Sequence, residues 1–199
     1  MSMQHFTVAA GDGAQAGGSQ AVMVPLNTRA VVPMEPERVR RLRKHLVQSL
    51  RAMRSMKRPV ESASPLRAEP DGFIGEVARV ACTLCRGWCC KGGGEHAYLD
   101  ERVIARVRQA RPELEARAVI GLYVASVPTA SYAGTCVFHG EAGCTLDRSL
   151  RSDVCNSYFC TGLGNLVKSG EPPTQAIVIA THDGETRISP VLAPQPDPF

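Results

Sequence analysis

The sequence has few aromatic side chains and no long hydrophobic run. Aromatic residues make up only 5% of the 199 residues, so we expect a modest hydrophobic core, in one domain with terminal extensions or in two small domains. No apolar stretch approaches the roughly 18 residues that a membrane-spanning helix needs. We therefore predict neither a transmembrane segment nor a membrane partner.

The first 28 residues also lack the features of a secretory signal. They carry no basic n-region, and the short apolar stretch 21–26 contains Pro25. We therefore expect a cytoplasmic location, where reducing conditions keep thiols free. In that compartment a cysteine-rich pattern favours a metal or catalytic site over a disulfide framework, which is the alternative interpretation of the cysteines.

Positive charge is concentrated in one segment. The whole chain has a net charge of +4, whereas residues 35–58 contain nine Arg or Lys and only two Glu. Pro36 suits the first turn of a helix, and apolar residues recur every three or four positions after it. The pattern predicts a basic amphipathic helix over 36–58. This helix is a candidate surface for nucleic acid or an acidic protein. Alternatively, its charged face is simply solvated and its apolar face packs on the rest of the chain.

Composition divides the chain into four predicted segments. They are a disordered tail over 1–34, the basic helix with a linker over 35–72, a cysteine-cluster domain over 73–170, and a hairpin with a tail over 171–199. The hairpin is predicted because Asp-Gly at 183–184 separates two β-prone stretches. The predicted fold class is mostly α with irregular loops and a small C-terminal β-hairpin, in which metal stabilises a small cysteine-cluster domain.

The cysteines form the main chemical pattern of the sequence. All eight lie in one window of the chain: Cys82, Cys85, Cys89, Cys90, Cys136, Cys144, Cys155 and Cys160. A C-x2-C step brings two sulfurs within reach of one ion, because a tight turn places both side chains on the same side. Thiolates are soft ligands that favour zinc, copper(I) or iron–sulfur clusters over magnesium or calcium.

The adjacent pair Cys89-Cys90 limits how the thiols can be shared. Side chains of neighbouring residues usually diverge, so two adjacent cysteines do not easily bind one tetrahedral ion. We infer that each faces a different centre or that one of them bridges. Eight thiols then fit either two mononuclear sites or one multinuclear cluster. His96 and His139 are candidate accessory ligands, since each lies close to a cysteine in the sequence.

The motif Cys82-x2-Cys85-x3-Cys89-Cys90, followed by Asp100 at the start of a helix, resembles the CxxCxxCC cysteine-cluster proteins, also called the YkgJ family. The second half is similar as well, in the order Cys136-Val-Phe, Cys144-Thr-Leu-Asp, Arg151 and Cys155, although Ser152 stands where the family typically has proline. The resemblance covers residues 78–165. It implies a zinc- or iron-chelating domain. Relatives include a flagellin lysine N-methylase, which implies an iron–sulfur option.

The sequence therefore predicts a metal-binding protein that chelates zinc or iron, with an iron–sulfur cluster as one option, through the eight cysteines. Two alternatives stay open: a metal-dependent protein-modifying enzyme related to the methylase, and a nucleic-acid-binding module that uses the helix 36–58. The chain has no convincing glycine-rich cofactor loop after a strand and no Walker or Ser-His-Asp arrangement. Any reaction would therefore have to take place at the metal, and no catalytic residue is predicted.

Overall fold

The computed structural model describes residues 18–56 and 70–194. Over these residues the chain forms six α-helices: α1 Pro36–Arg54, α2 Gly72–Cys85, α3 Glu101–Ala110, α4 Ala116–Ala125, α5 Asp153–Ser157 and α6 Thr161–Ser169. Its strands are β1 Ser19–Pro25, β2 Val31–Pro33, β3 Ala130–Tyr132, β4 His139–Gly140, β5 Gly143–Cys144, β6 Gln175–His182 and β7 Glu185–Ile188. The fold is thus mainly helical with short strands, as predicted. Stabilisation by metal stays a prediction.

A three-stranded sheet has the order β1-β6-β7. β1 is parallel to β6, with Val22 opposite Val178 and Val24 opposite Ala180. These four side chains are buried, because alternate residues of a strand point to the same face of the sheet. The other two sheets are two-stranded and antiparallel, and they pair β2 with β3 and β4 with β5.

The predicted disorder over 1–34 is wrong for residues 19–25 and 31–33, which form β1 and β2. β1 is ordered because its buried residues pack into a core and its backbone pairs with β6 along its whole length. Residues 1–17 lie outside the described residues, as do residues 57–69 of the predicted linker and the end of the predicted helix. The described part of that basic helix is α1, which starts at Pro36 as predicted.

Helices α2 and α6 cover one face of the three-stranded sheet. Val77 of α2 and Leu166 of α6 are fully buried in a hydrophobic core that they share with β1 and β6. A Cβ atom at Gly162 would lie 1.8 Å from the Met23 carbonyl oxygen of β1. The absence of a side chain at Gly162 therefore lets α6 approach the strand this closely.

A second core is built by α1, α3 and α4. Leu46 of α1, Ile104 of α3 and Val119 of α4 have no exposed surface and belong to one cluster. Phe138, from the turn before β4, is buried in the same cluster. Asp100 caps α3 as predicted, since its side chain accepts hydrogen bonds from the first turn of that helix. The apolar face of α1 is therefore buried against α3 and α4.

The predicted C-terminal hairpin is confirmed. β6 and β7 pair antiparallel, with His182 opposite Glu185. Between them Asp183 and Gly184 have φ angles of 46° and 83°, as a two-residue type I′ turn requires. Across the described ranges, no helix has both the length and the apolar composition that crossing a bilayer requires.

Candidate metal centre

The first wall of the site is the end of α2 and the turn that follows it. Cys82 is exposed and Cys85 is buried on the last turn of α2. The helix ends because Arg86 and Gly87 both adopt the left-handed conformation, with φ of 54° and 68°. The chain then enters a 3₁₀ helix, Trp88–Gly92, whose Trp88 N–H donates to Cys85 Sγ at 3.4 Å. This helix carries the adjacent cysteines 89 and 90.

The second wall comes from residues 135–160 and is joined to the first by backbone hydrogen bonds. The Cys136 N–H donates to the Cys90 carbonyl at 2.9 Å, and the Val137 N–H donates to the Gly94 carbonyl at 2.8 Å. Pairing of β4 with β5 then places Cys144 opposite His139. These bonds bring together cysteines from the two distant halves of the motif.

Arg151 and Ser152 position the later cysteines through hydrogen bonds with the backbone. Arg151 donates from Nε to the Leu146 carbonyl at 2.9 Å and from Nη2 to the Cys144 carbonyl at 3.4 Å. Ser152 caps α5, and its hydroxyl accepts from the Cys155 N–H at 3.2 Å. Ser152 therefore has a defined role at the position where the resembled family typically carries proline.

The thiols of both walls lie close enough to influence one another's pKa. Burial, with a smaller contribution from the charges of Cys89 and Cys160, raises the pKa of Cys85 to about 11, while the N–H of Trp88 opposes the shift. Burial likewise raises the pKa of Cys136 to about 12, with the charge of Cys144 adding to the shift. At neutral pH and without a cation these thiols stay protonated.

Cys155 links the two groups of thiols. The residue is exposed as a whole, but its thiol lies among protein atoms, and this removal from water raises its pKa. The charges of Cys144 and Cys89 raise the pKa further, whereas the Ser152 hydroxyl and Arg151 lower it. Cys155 thus interacts with the early and the late cysteines at once.

Cys89 and Cys90 differ in acidity although they are adjacent. A hydrogen bond from the Cys90 thiol stabilises the Cys89 thiolate and lowers the pKa of Cys89, with Arg151 contributing through its charge. The same hydrogen bond, followed by burial and by repulsion from Cys89, Cys136 and Cys144, raises the pKa of Cys90. The first proton of the pair therefore leaves from Cys89, which is also the more exposed of the two.

Two glycines let the walls approach. A Cβ atom at Gly93 would lie 2.7 Å from Cys136 Cβ, and one at Gly87 would lie 2.3 Å from His139 Nε2. Gly87 also has a positive φ, which L side chains rarely adopt. Both positions therefore require glycine for the observed contact between the two halves of the site.

The two candidate histidines lie in different environments. His139 is buried, its Nδ1 is 3.0 Å from Thr135 Oγ1, and its Nε2 makes no hydrogen bond of standard geometry among the described residues, although the Arg86 backbone lies close enough to oppose the fall in the pKa of the ring. Because Thr135 donates its hydroxyl proton to a backbone carbonyl, it accepts from Nδ1–H, which leaves a lone pair on Nε2. Burial lowers the pKa of His139 to about 4, so the ring is neutral at pH 7. His96 is exposed, and its Nδ1 accepts from the Tyr98 N–H.

Trp88, the single tryptophan of the chain, contacts residues that the sequence pattern did not identify. Its ring centroid is 4.4 Å from that of His182 in an edge-on arrangement. Lys91 Nζ lies 3.7 Å from the ring centroid, within range of a cation–π interaction. The contact with His182 joins the 3₁₀ helix to the end of β6. No sequence signal relates residue 88 to residue 182, since their contact arises from the sheet topology.

The thiols lie where the two hydrophobic cores meet. Cys85 belongs to the core of α2, α6 and the three-stranded sheet, and Cys160 packs against it. Cys136 belongs to the core of α1, α3 and α4, and Cys90 and Cys144 pack against that one. A group bound by thiols from both sets would therefore connect the two halves of the molecule.

The thiols share a neighbourhood but are not arranged as a finished ligand set. Among residues 18–56 and 70–194, no three His, Cys, Asp or Glu side chains are positioned together to hold a metal ion. The donor chemistry and the glycine-lined approach fit a thiophilic metal, because soft thiolates are concentrated where backbone approaches closely. Without such a preformed set in the described part of the chain, binding would require the thiols to draw together.

A cavity near this region is separate from the thiols. It has a volume of about 520 Å³ and no cysteine among its lining residues: Val32, Pro33, Glu35, Arg38, Gly94, Glu95, Ala133, Gly134 and Thr135. Arg38 crosses its wall, donating to Glu95 Oε1 at 2.9 Å, to Ser131 Oγ at 3.0 Å and to the Thr135 carbonyl. The sequence did not predict that Arg38 is buried, because Arg38 is one of many basic residues in the segment 35–58.

Comparison of the chain with protein-family models, curated proteins and solved structures gave no match. The resemblance to the CxxCxxCC proteins therefore stays a prediction from the motif.

Proposed function

We propose that this protein binds a thiophilic metal, zinc or iron, with an iron–sulfur cluster included, through thiolates from both walls of the site. The observation that carries the proposal is the proximity of Cys90 to Cys136 and Cys144, whose charges raise the pKa of Cys90. The backbone bond from the Cys136 N–H to the Cys90 carbonyl supports the same placement. Soft sulfur donors gathered from distant parts of a chain are typical of such metal sites.

The interactions suggest how the thiols would be divided. Cys85 interacts with Cys89 and Cys160, whereas Cys90 and Cys136 interact with each other and with Cys144. The two groups meet at the adjacent residues 89 and 90, because the Cys90 thiol donates a hydrogen bond to Cys89, contrary to the expectation that neighbouring side chains diverge. Cys155 interacts with both groups, which makes it a candidate for a shared ligand.

The chain's own residues would prepare the thiols for the metal. Cys89 ionises first, since Cys90 donates a hydrogen bond to its thiolate and Arg151 adds positive charge. The buried thiols Cys85 and Cys136 hold their protons until a cation compensates the buried negative charge. Loading would therefore release protons and become tighter as pH rises, because only thiolates bind metal. The bound metal would supply cross-linking of the two cores.

Anaerobic purification followed by elemental analysis and an absorption spectrum tests the proposal. We expect at least one metal per chain. A brown protein with a broad band near about 400 nm identifies iron–sulfur, and a colourless protein containing zinc identifies the other option. Less than one metal per chain in the purified protein, and again after anaerobic reconstitution with zinc or with iron and sulfide, would reject the proposal.

Matched variants locate the ligands. Cys90→Ser and Cys136→Ser change ligands that stand on opposite walls, and each is expected to lower metal content severalfold. Thr83→Ser is the control, because Thr83 is exposed on the same helix as Cys85 and its hydroxyl bonds only to its own helix. Circular dichroism distinguishes loss of metal from loss of fold. Unchanged metal content in both cysteine variants would remove these residues from the site.

A further inference from the structure

The exposed side of α1 carries a continuous basic stripe. At about 100° per residue, five cations fall within an arc of about 100° on the helix surface, namely Arg40, Arg43, Lys44, Arg51 and Arg54. All five are exposed. The opposite side holds Leu42 and Leu46, which are fully buried in the core. The orientation of the stripe toward solvent is therefore fixed by the packing of the helix.

Intramolecular ion pairs account for the other cations of the helix but leave most of the stripe unpaired. Glu95 pairs with Arg38 and Arg41, and Glu37 pairs with Arg40 and Arg41. In the described part of the chain, no carboxylate lies within ion-pair distance of the four remaining cations. These are Arg43, Lys44, Arg51 and Arg54. The stripe thus presents four unneutralised positive charges, separate from the cysteine site.

We propose that this stripe is a binding surface for the phosphodiester backbone of double-stranded nucleic acid. The cations span 15 residues of helix from Arg40 to Arg54, which is about 21 Å and covers several successive phosphates. Three of the four unpaired cations are arginines, whose planar guanidinium groups bind phosphate oxygens in pairs. The proposal does not depend on metal binding.

The composition of the stripe favours phosphates over a protein partner. Protein interfaces depend on buried aromatic or aliphatic anchors at their centre. The exposed arc contains Val47 as its only apolar residue between Arg40 and Arg54, and Val47 is half-buried. The same arc carries no aromatic side chain on which the bases of a single strand would stack. The stripe therefore offers only positive charge for recognition. Positive charge binds the uniform phosphate backbone of a duplex and does not distinguish its base sequence.

Fluorescence anisotropy of the full chain with a labelled duplex of about 20 base pairs tests the proposal. The slope of the logarithm of affinity against the logarithm of salt concentration is about −0.9 for each phosphate contacted. Four contacts therefore predict a slope of about −3.6. The triple variant Arg43→Gln, Arg51→Gln and Arg54→Gln leaves Lys44, so its slope should fall to about −0.9 and its affinity should fall at least about tenfold at low salt.

A second triple variant controls for net charge. Arg102→Gln, Arg117→Gln and Arg187→Gln removes the same charge from exposed positions outside α1 and should leave at least half of the affinity. Equal loss in the two triple variants would overturn the placement on α1. Competition by polyglutamate as strong as that by duplex at equal charge would overturn phosphate recognition in favour of an acidic protein. Absence of salt-dependent duplex binding by the wild-type chain would overturn the proposal altogether.

Discussion

Gly87 is one of the two glycines that allow the close approach of the two walls of the thiol site. Gly87 has a φ of 68° and lies against the buried ring of His139. Gly87→Ala is expected to destabilise the protein by about 1–3 kcal/mol, because the new methyl group meets the ring and the backbone conformation is strained. Gly164→Ala is the control, since nothing lies within 4 Å of its Cβ position inside α6. Urea unfolding should show this control to be unchanged or slightly stabilised. Equal stability of Gly87→Ala and wild type would contradict the close approach.

The ion pair of Arg38 with Glu95 makes part of the free energy of unfolding dependent on pH. Partial burial alone would raise the pKa of Glu95, but hydrogen bonds and charge from Arg38 and Arg41 hold it below its ordinary value of 4.5. The unfolded chain therefore binds the proton first, and the contribution is present above about pH 4.5 and lost as pH falls through the lowered pKa. Glu95→Gln should cost about 1–3 kcal/mol at pH 7, because the buried Arg38 loses its carboxylate and keeps only neutral hydrogen-bond acceptors.

Urea unfolding from pH 7 to pH 3 checks the prediction for Glu95. The variant should lose less stability than wild type across the acid range, since its amide does not titrate. Glu113→Gln provides the control, because Glu113 is exposed on the surface. An acid-induced loss of the same size in Glu95→Gln and wild type would show that this carboxylate is not the group involved.

At the scale of single residues, the sequence predicted contacts between residues a few positions apart but not contacts between residues far apart. The cap at Asp100 and the positive-φ pair Asp183-Gly184 are readable because their partners are a few positions away. The Arg38–Glu95 contact joins residues 57 positions apart. Its formation depends on where α1 packs, and the sequence showed Arg38 only as one member of a basic run.

Helix α1 belongs to the core that contains Cys136, although its composition is that of a surface helix. Leu46 is fully buried against α3 and α4. Leu46→Ala should cost about 2–5 kcal/mol, because the cavity left behind cannot fully collapse. Val47→Ala on the half-buried side should cost about 1 kcal/mol or less. Thermal and urea unfolding would measure both. If Leu46→Ala lowers the free energy of unfolding no more than Val47→Ala does, α1 does not pack into the core as described.

The strands illustrate why one element was predicted and another was missed. The hairpin β6–β7 is closed by two residues, so its signal is contained in one short stretch. β1 is a parallel partner of β6, and the contact of Ser19 with Gln175 spans 156 positions. Composition suggested disorder for this segment, but the alternation of buried Val22 and Val24 is the signal that could have identified the strand.

At the scale of the whole molecule, the pattern of cysteines predicted a site but not its construction. The spacing identified which residues carry soft donors. It could not show that Cys85 lies in one core and Cys136 in the other, because that depends on packing of helices and strands distant in sequence. Because the thiols are divided between two cores, metal binding would affect the stability of both cores. A ligand that joins both groups would couple the unfolding of the two cores.

Metal should therefore stabilise the chain as a whole. A ligand that binds only the folded state stabilises it by about 2.7 kcal/mol at one hundred times its Kd, which for this length corresponds to a rise in Tm of roughly 5–10 °C. Zinc added to chelator-stripped protein should raise Tm by that amount and change the fluorescence of Trp88 beside Cys89 in the same titration. Cys136→Ser should lose both responses, while Thr83→Ser keeps them. A fluorescence change without a rise in Tm would place the metal on exposed thiols such as Cys89 alone, and the two cores would then unfold independently of it.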